Sequence, residues 1–257
     1  MTAGLHGLGV LITRPKNQAQ RLAQTIRAAG GEPLLYPTIE IADSDDPLAA
    51  RRTLATIEEF DWAIFISANA VEKAFSMLSP DGVWPASLPT AAIGAATADA
   101  LREHGVGKIH APTQDFDSEA LLALPEFQSV ENARIVILRG QGGRETLKQT
   151  LAARGAEVVY CECYRRIKPA TTNRDLRHWL EQKKIQAINV MSVESLANLL
   201  DMAGDLAVAL KSIPVITHHA RVTRTAQDAG FARVFTCRPA NAALIAVLDS
   251  LSLGKLA

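Results

Sequence analysis

Apolar positions along the chain alternate between two periods. Val10–Thr13 and Ile135–Leu138 are short, nearly unbroken apolar runs. Parallel strands covered on both faces read this way, because neither face needs polar residues. After the first run, Ala19, Leu22, Ala23 and Ile26 recur at spacings of three and four, and Gly30-Gly31 follows. That is an amphipathic helix with a glycine stop. After the second run, Leu147, Thr150 and Leu151 lead to Gly155 in the same manner. Extended segments come next, over Pro33–Ile41 and Val158–Ile167. Six further strands are predicted, at Ala63–Ile66, Ala91–Ile93, Lys108–His110, Ala187–Met191, Val215–Thr217 and Val234–Thr236. Helices centred on Val71–Leu78, Ala96–His104, Leu196–Met202 and Val222–Ala229 separate them. Strands alternating with helices predict an α/β protein with doubly wound parallel sheets.

The two halves of this pattern repeat at an offset of about 125 residues. VLITR at Val10–Arg14 matches IVILR at Ile135–Arg139. Leu22, Gln24 and Thr25 match Leu147, Gln149 and Thr150, and Ala28, Gly30 and Glu32 match Ala153, Gly155 and Glu157. The same offset pairs Ser67 with Ser192, Pro89 with Pro214 and Gly105 with Gly230. Two copies of one supersecondary plan explain a constant offset over so long a stretch. A simple division would cut the chain near residue 132. A crossing layout would join the N-terminal βα unit to the last third and insert the middle between them. Pro37, the Asp43–Pro47 stretch and Pro169–Asn173 punctuate the chain beside the two extended segments, and both layouts accommodate them.

Composition narrows the function classes. At 257 residues the chain suits two domains, and 48% hydrophobic with 21% charged residues fits folded domains. Lys+Arg and Asp+Glu both number 27, so no basic excess points to nucleic acid. No apolar run approaches the roughly 20 residues that span a bilayer. Met1–Gly9 does not read as a secretory signal, and three cysteines fit a reducing compartment, so a cytoplasmic location is expected. Cys161 and Cys163 would share one face of a strand, where packing is the plain explanation.

Ligands of open α/β sheets bind beyond the carboxyl ends of the strands. The loops predicted there carry Arg14, then Ser67 and Asn69, then Gly94 and Thr97. They continue with Arg139, Gly140, Gly143 and Arg144, then Ser192 and Ser195, and finally Thr217. Small residues admit a ligand to the backbone, helix N-termini favour anions, and guanidinium groups suit carboxylates or phosphates. Ser67 and Ser192 have a second reading as simple helix N-caps. Gly140–Gly143 is not followed by Gly-Lys-Ser/Thr, and no Gly-x-Gly-x-x-Gly follows the first strand, which argues against nucleotide sites. His218 and His219 are adjacent and cannot share a helix face as metal ligands, so no metal is expected. Tyr164 stands out on the second extended segment, either as a weak general acid or as an aromatic packed in the strand.

At these residues the chain resembles the bacterial uroporphyrinogen-III synthases. The resemblance rests on LITRP at Leu11–Pro15, FISANAV at Phe65–Val71, AIGAATADAL at Ala92–Leu101, ILRGQGGRETL at Ile137–Leu147, the Gly155–Arg166 segment, and SVESL at Ser192–Leu196. It implies two similar doubly wound domains joined by a two-stranded linker, with the ligand cleft between them. Residues 1–36 and 168–257 would form a discontinuous domain and 42–161 an inserted one, with linker strands at about 34–41 and 159–167. It implies cyclisation of hydroxymethylbilane with loss of water and inversion of the last ring, and no cofactor. The zero net charge and the lack of an evident dimer stripe point to a monomer, expected to meet the preceding pathway enzyme only transiently. Tyr164 matches the family's linker tyrosine and would assist departure of the hydroxyl, and the strand-end residues named above would bind substrate. The chain departs from the family where Ile66 and Met191 replace a frequent Thr, and where Thr217-His218-His219 replaces a glycine- or serine-led loop. The rival reading is a cytosolic two-domain sensor of small ligands.

Overall fold

A computed structural model describes residues 4–78, 83–114 and 117–255. The chain opens with β1 (Gly9–Ile12), α1 (Lys16–Ala28) and β2 (Glu32–Leu35). There follow β3 (Glu40–Asp43), α2 (Pro47–Ala55), β4 (Trp62–Phe65), α3 (Ala68–Met77), β5 (Thr90–Ala92), α4 (Ala95–Glu103) and β6 (Ile109–His110). Next come α5 (Ser118–Leu122), β7 (Arg134–Gly140), α6 (Thr146–Ala153) and β8 (Glu157–Ile167). The last third holds α7 (Arg174–Glu181), β9 (Ala187–Asn189), α8 (Val193–Ala203), α9 (Ala207–Leu210), β10 (Val215–Thr217), α10 (Ala220–Asp228), β11 (Val234–Thr236) and α11 (Asn241–Ser252). Contacts group the chain into two compact units, Met1–Glu40 with Ile167–Ala257, and Ile41–Arg166.

The first unit carries a sheet in the order β11-β10-β9-β1-β2, and its pairings are parallel. Val10 and Ile12 face α1 and α11, where Leu22, Ile26, Leu244 and Leu248 are buried. Leu11, Ile188 and Val215 face the other way, onto Leu176, Leu199 and Val222 of α7, α8 and α10. Two covered faces explain why β1 shows no polar alternation. Helix α1 has no side-chain cap hydrogen bond, and Pro15 stands at its N-cap. Its apolar stripe therefore carries its stability. Full burial of Leu22 or Ile26 contributes about 1.5–3 kcal/mol each.

The second unit carries a sheet in the order β3-β8-β7-β4-β5-β6, and the pairings from β8 through β6 are parallel. Ala63, Phe65, Val136 and Leu138 pack with α2, α3 and α4, while Ile64, Ile135 and Ile137 pack with α5 and α6. The sequence repeat aligns β1, β2, β9, β10 and β11 with β7, β8, β4, β5 and β6 in turn, at the offset of about 125 residues. The five aligned strands then follow the same order in both sheets, and β3 is added beside β8 in the second. Each is built from the first βαβ portion of one copy and the last three strands of the other.

Two expectations change. The segment 33–41 is not one strand, because Tyr36–Ile39 separates β2 in one sheet from β3 in the other. The segment 157–167 is a continuous member of the second sheet, since β8 pairs with β7 from Glu157 to Tyr164. Helices α2, α5, α7, α9 and α11 lie where no helix was predicted. Asp46 and Asp117 cap α2 and α5 by accepting from Ala49 N and Ala120 N, both at 2.8 Å, and those caps were legible signals.

Candidate active site

In the second unit the parallel strands end on one edge, and their loops bring several candidates together. Ser67 follows β4 in an extended conformation, φ −166°, and its Oγ accepts from Ala70 N at 3.1 Å to cap α3. The same Oγ lies 3.0 Å from the Tyr164 phenol oxygen. Tyr164 is only 5% exposed. A hollow of about 260 Å³ opens here, with Ser67, Gly140, Gly143, Arg144, Tyr164 and Arg166 among its walls. A larger hollow, about 710 Å³, surrounds Trp62, Trp84 and Lys108. It lies where the strands begin and includes none of the candidate residues, so size is a poor guide to the chemistry here.

A register shift sets the position of Tyr164. Arg139 pairs with Glu162, but Gly140 pairs with Tyr164, so one residue of β8 is passed over. Strict alternation would put Tyr164 on the face of Tyr160, opposite Cys161 and Cys163. Instead Tyr164 joins the buried cluster of Cys161 and Cys163, whereas Tyr160 packs against the other cluster. The two thiols lie 3.7 Å apart, and this contact, then burial, pushes Cys163 well above the ordinary thiol range.

Arg139 is the largest fully buried side chain of the described residues. Its Nε donates to Gly140 O at 3.1 Å, its Nη1 meets Glu145 at 3.3 Å, and its Nη2 donates to Gly142 O. The guanidinium also lies over the Tyr160 ring, 4.3 Å from the centroid. Arg139 thus serves the loop 140–145 from inside, rather than standing in solvent as a free cation. Gly142 and Gly143 adopt φ of 73° and 101°, conformations that let the loop wrap this guanidinium. Burial, then the hydrogen bond to Glu145, pushes the Tyr160 phenol up to about 12, so it stays neutral at ordinary pH. Arg144, three-quarters exposed, reaches only 4.0 Å from Glu119. Gly94 is the extended N-cap of α4, Thr97 is buried in that helix, and Asn69 is half-buried in the first turn of α3.

The first unit gathers a different set at its own strand ends. Arg14 donates from Nε to Asn189 Oδ1 at 3.1 Å and from Nη2 to Met191 Sδ at 3.4 Å. Burial lowers its pKa. Ser192 caps α8 by accepting from Ser195 N at 3.0 Å. Ser195 is itself buried, 2.8 Å from both Thr13 Oγ1 and Thr38 Oγ1, and Thr13 donates on to Asn189 O at 2.8 Å. Thr217 is fully buried, and its Oγ1 accepts from His219 N at 3.4 Å. His218 Nδ1 lies 3.2 Å from Cys237 Sγ, and burial lowers the imidazole pKa while raising that of the thiol. Thr38, Asn189, Tyr160 and Glu145 belong to these networks but were not singled out in the sequence. Their contacts join separated segments of the chain, so no local signal marked them. Among the described residues no group of three His, Cys, Asp or Glu side chains converges as metal ligands would. No helix of the described residues is long and apolar enough to cross a membrane.

Two doubly wound, largely parallel sheets with hydroxyls, glycines and arginines at their strand ends define a two-unit α/β protein. The family described as uroporphyrinogen-III synthase HemD matches residues 20–246, and the chain belongs to that family. The uroporphyrinogen-III synthase of Salmonella typhimurium is 44% identical over 161 residues, 62% of this chain and 65% of the relative. That of Escherichia coli is 39% identical over 160 residues, with the same coverage, so the chain spans 65% of the length of these two relatives. The enzyme of Synechococcus elongatus is 32% identical over 209 residues, 79% of this chain and 78% of the relative. In fold, the chain is similar to uroporphyrinogen-III synthetase from Helicobacter pylori, with a TM-score of 0.61 at 15% identity over 95% of this chain and 99% of that one. The enzyme from Thermus thermophilus gives a TM-score of 0.58 at 17% identity, over 97% of this chain and 100% of that one.

Proposed function

We propose that this chain cyclises hydroxymethylbilane to uroporphyrinogen III, with loss of water and inversion of the last pyrrole ring. The observation that carries the reading is the Tyr164 phenol, held 3.0 Å from Ser67 in the wall of a hollow at the strand ends, in a chain of this family. The substrate has eight carboxylates. Arg144 and Arg166, with the N–H groups that open α3 and α4, are apt partners for them.

The chemistry is a dehydration followed by a rearrangement. The terminal C–O bond breaks, and the departing hydroxyl takes a proton from the Tyr164 phenol to leave as water. The electrophile so formed is attacked by the substituted α-carbon of the last ring, giving a spiro intermediate. That intermediate fragments and recloses at the free α-carbon, whose lost proton restores the phenol. Closure without assistance gives the uninverted isomer, so the protein's main work is holding one geometry. The chain is proposed to act as a monomer in the cytoplasm, receiving its unstable substrate from the preceding enzyme.

The test is a coupled assay. Hydroxymethylbilane is generated in situ, the purified chain is added, and the oxidised porphyrins are separated by isomer. A dominant type III product is expected. Type I alone, as in a control lacking the chain, overturns the reading and favours a non-catalytic ligand-binding protein.

A further inference from the structure

We infer that Ser67 is a positioning residue for the phenol of Tyr164, turning the tyrosine proton towards the substrate and stabilising the oxygen it leaves behind. The inference rests on the cyclase reading above. A serine hydroxyl has one proton and two lone pairs. One lone pair of Ser67 Oγ is occupied by Ala70 N–H at 3.1 Å, and the Tyr164 oxygen lies 3.0 Å away. Accepting from the helix N–H makes the serine O–H a stronger donor. If Ser67 donates to Tyr164, the phenol's own proton is free for the substrate. When that proton leaves, the new phenolate keeps the serine hydrogen bond and lies beside the N-terminus of α3, where negative charge is favoured.

The sequence repeat supplies an internal comparison. Ser192 is the counterpart of Ser67 and caps α8 in the same way, accepting from Ser195 N at 3.0 Å. At the repeat offset the counterpart of Tyr164 is Ile39, a residue with no hydroxyl. Capping alone therefore explains a serine at both positions, but the phenol contact belongs to Ser67. Two further features hold the pair in register. The shift between β7 and β8 sets Tyr164 opposite Gly140, and Gln141 N donates to Tyr164 O at 2.8 Å.

The test measures kcat, KM and melting temperature for Ser67→Ala, Ser67→Gly and Ser67→Thr, alone and with Tyr164→Phe. Alanine removes the cap, whereas glycine is tolerated at an N-cap. A capping role alone predicts a greater loss for alanine than for glycine. The positioning role predicts that both lower kcat about tenfold, with KM within about twofold of wild type. Ser67→Thr should restore kcat, and neither alanine nor glycine should lower it further in the Tyr164→Phe background. Should alanine prevent folding, glycine carries the test. Unchanged kcat in the glycine variant, or an equal further loss in the Tyr164→Phe background, overturns the positioning role. A rise in KM alone overturns it in favour of carboxylate binding. If wild type forms no type III isomer, the cyclase reading falls, and the positioning role that rests on it is overturned with it.

Discussion

Gly140 and Tyr164 are register partners on adjacent strands, and a Cβ at position 140 would lie 2.6 Å from the tyrosine ring carbon Cζ. No real Cβ makes such a contact, and the ring is confined by its own burial. Gly140→Ala is expected to push the phenol off Ser67. Overpacking of this kind costs about 1–3 kcal/mol. Turnover should fall about tenfold or more. Calorimetry and the isomer assay on the same sample check both effects. Wild-type turnover in this variant would show that the position of the phenol is unimportant.

Arg139 supports the loop 140–145 through two carbonyls, a carboxylate and the Tyr160 ring. Arg139→Ala leaves both carbonyls without this donor, and about 3 kcal/mol of stability should be lost. Lysine cannot reproduce the planar fork, so Arg139→Lys should recover little of it. Urea titration of both variants reads the difference. Glu145 is half-exposed and can be hydrated, so Glu145→Gln should cost much less.

Ser195 lies in the middle of a buried hydroxyl chain that links the residue after β1, the segment after β2, and α8. Ser195→Ala leaves Thr13 and Thr38 without their shared partner and should cost about 1–3 kcal/mol. Val at this position adds bulk and should cost more than Ala. Denaturant midpoints for the two variants give the ranking.

His218 is held neutral by burial, which lowers its pKa in the folded chain. The unfolded chain, titrating near about 6.5, then binds more protons in mild acid. The contribution of His218 is present above that pH and is lost as pH falls towards the lowered folded value. Wild type should therefore lose stability between about pH 7 and pH 5, and His218→Gln should lose less. Unfolding midpoints across that range decide it. Parallel loss in both proteins would assign the pH dependence to other groups.

Much of the architecture was legible because burial on both faces of a sheet leaves a strong local mark. The apolar runs at β1 and β7, and the stripe of Ala19, Leu22, Ala23 and Ile26, lie where they were predicted. The short α2 and α5 were not picked out from the apolar spacing, although their aspartate caps were in view. Among candidate site residues, Ser67 and Tyr164 are brought together, and Gly140 with them.

The amino-acid sequence by itself determined the α/β class, the repeat at about 125 residues and the strand-end placement of the polar loops, because hydrophobic period and glycine position are local properties. Only the tertiary structure decided what each polar side chain does. Arg139 and Arg144 are close in sequence and each faces a glutamate, yet one is 2% exposed and the other 75% exposed. Ser192 and Ser195 both read as ligands, yet one caps a helix and the other closes a buried hydroxyl chain. Tyr164 changed face because β8 shifts register by one residue against β7. Such assignments depend on which distant groups arrive at a hydrogen-bonding distance, and local pattern does not encode that.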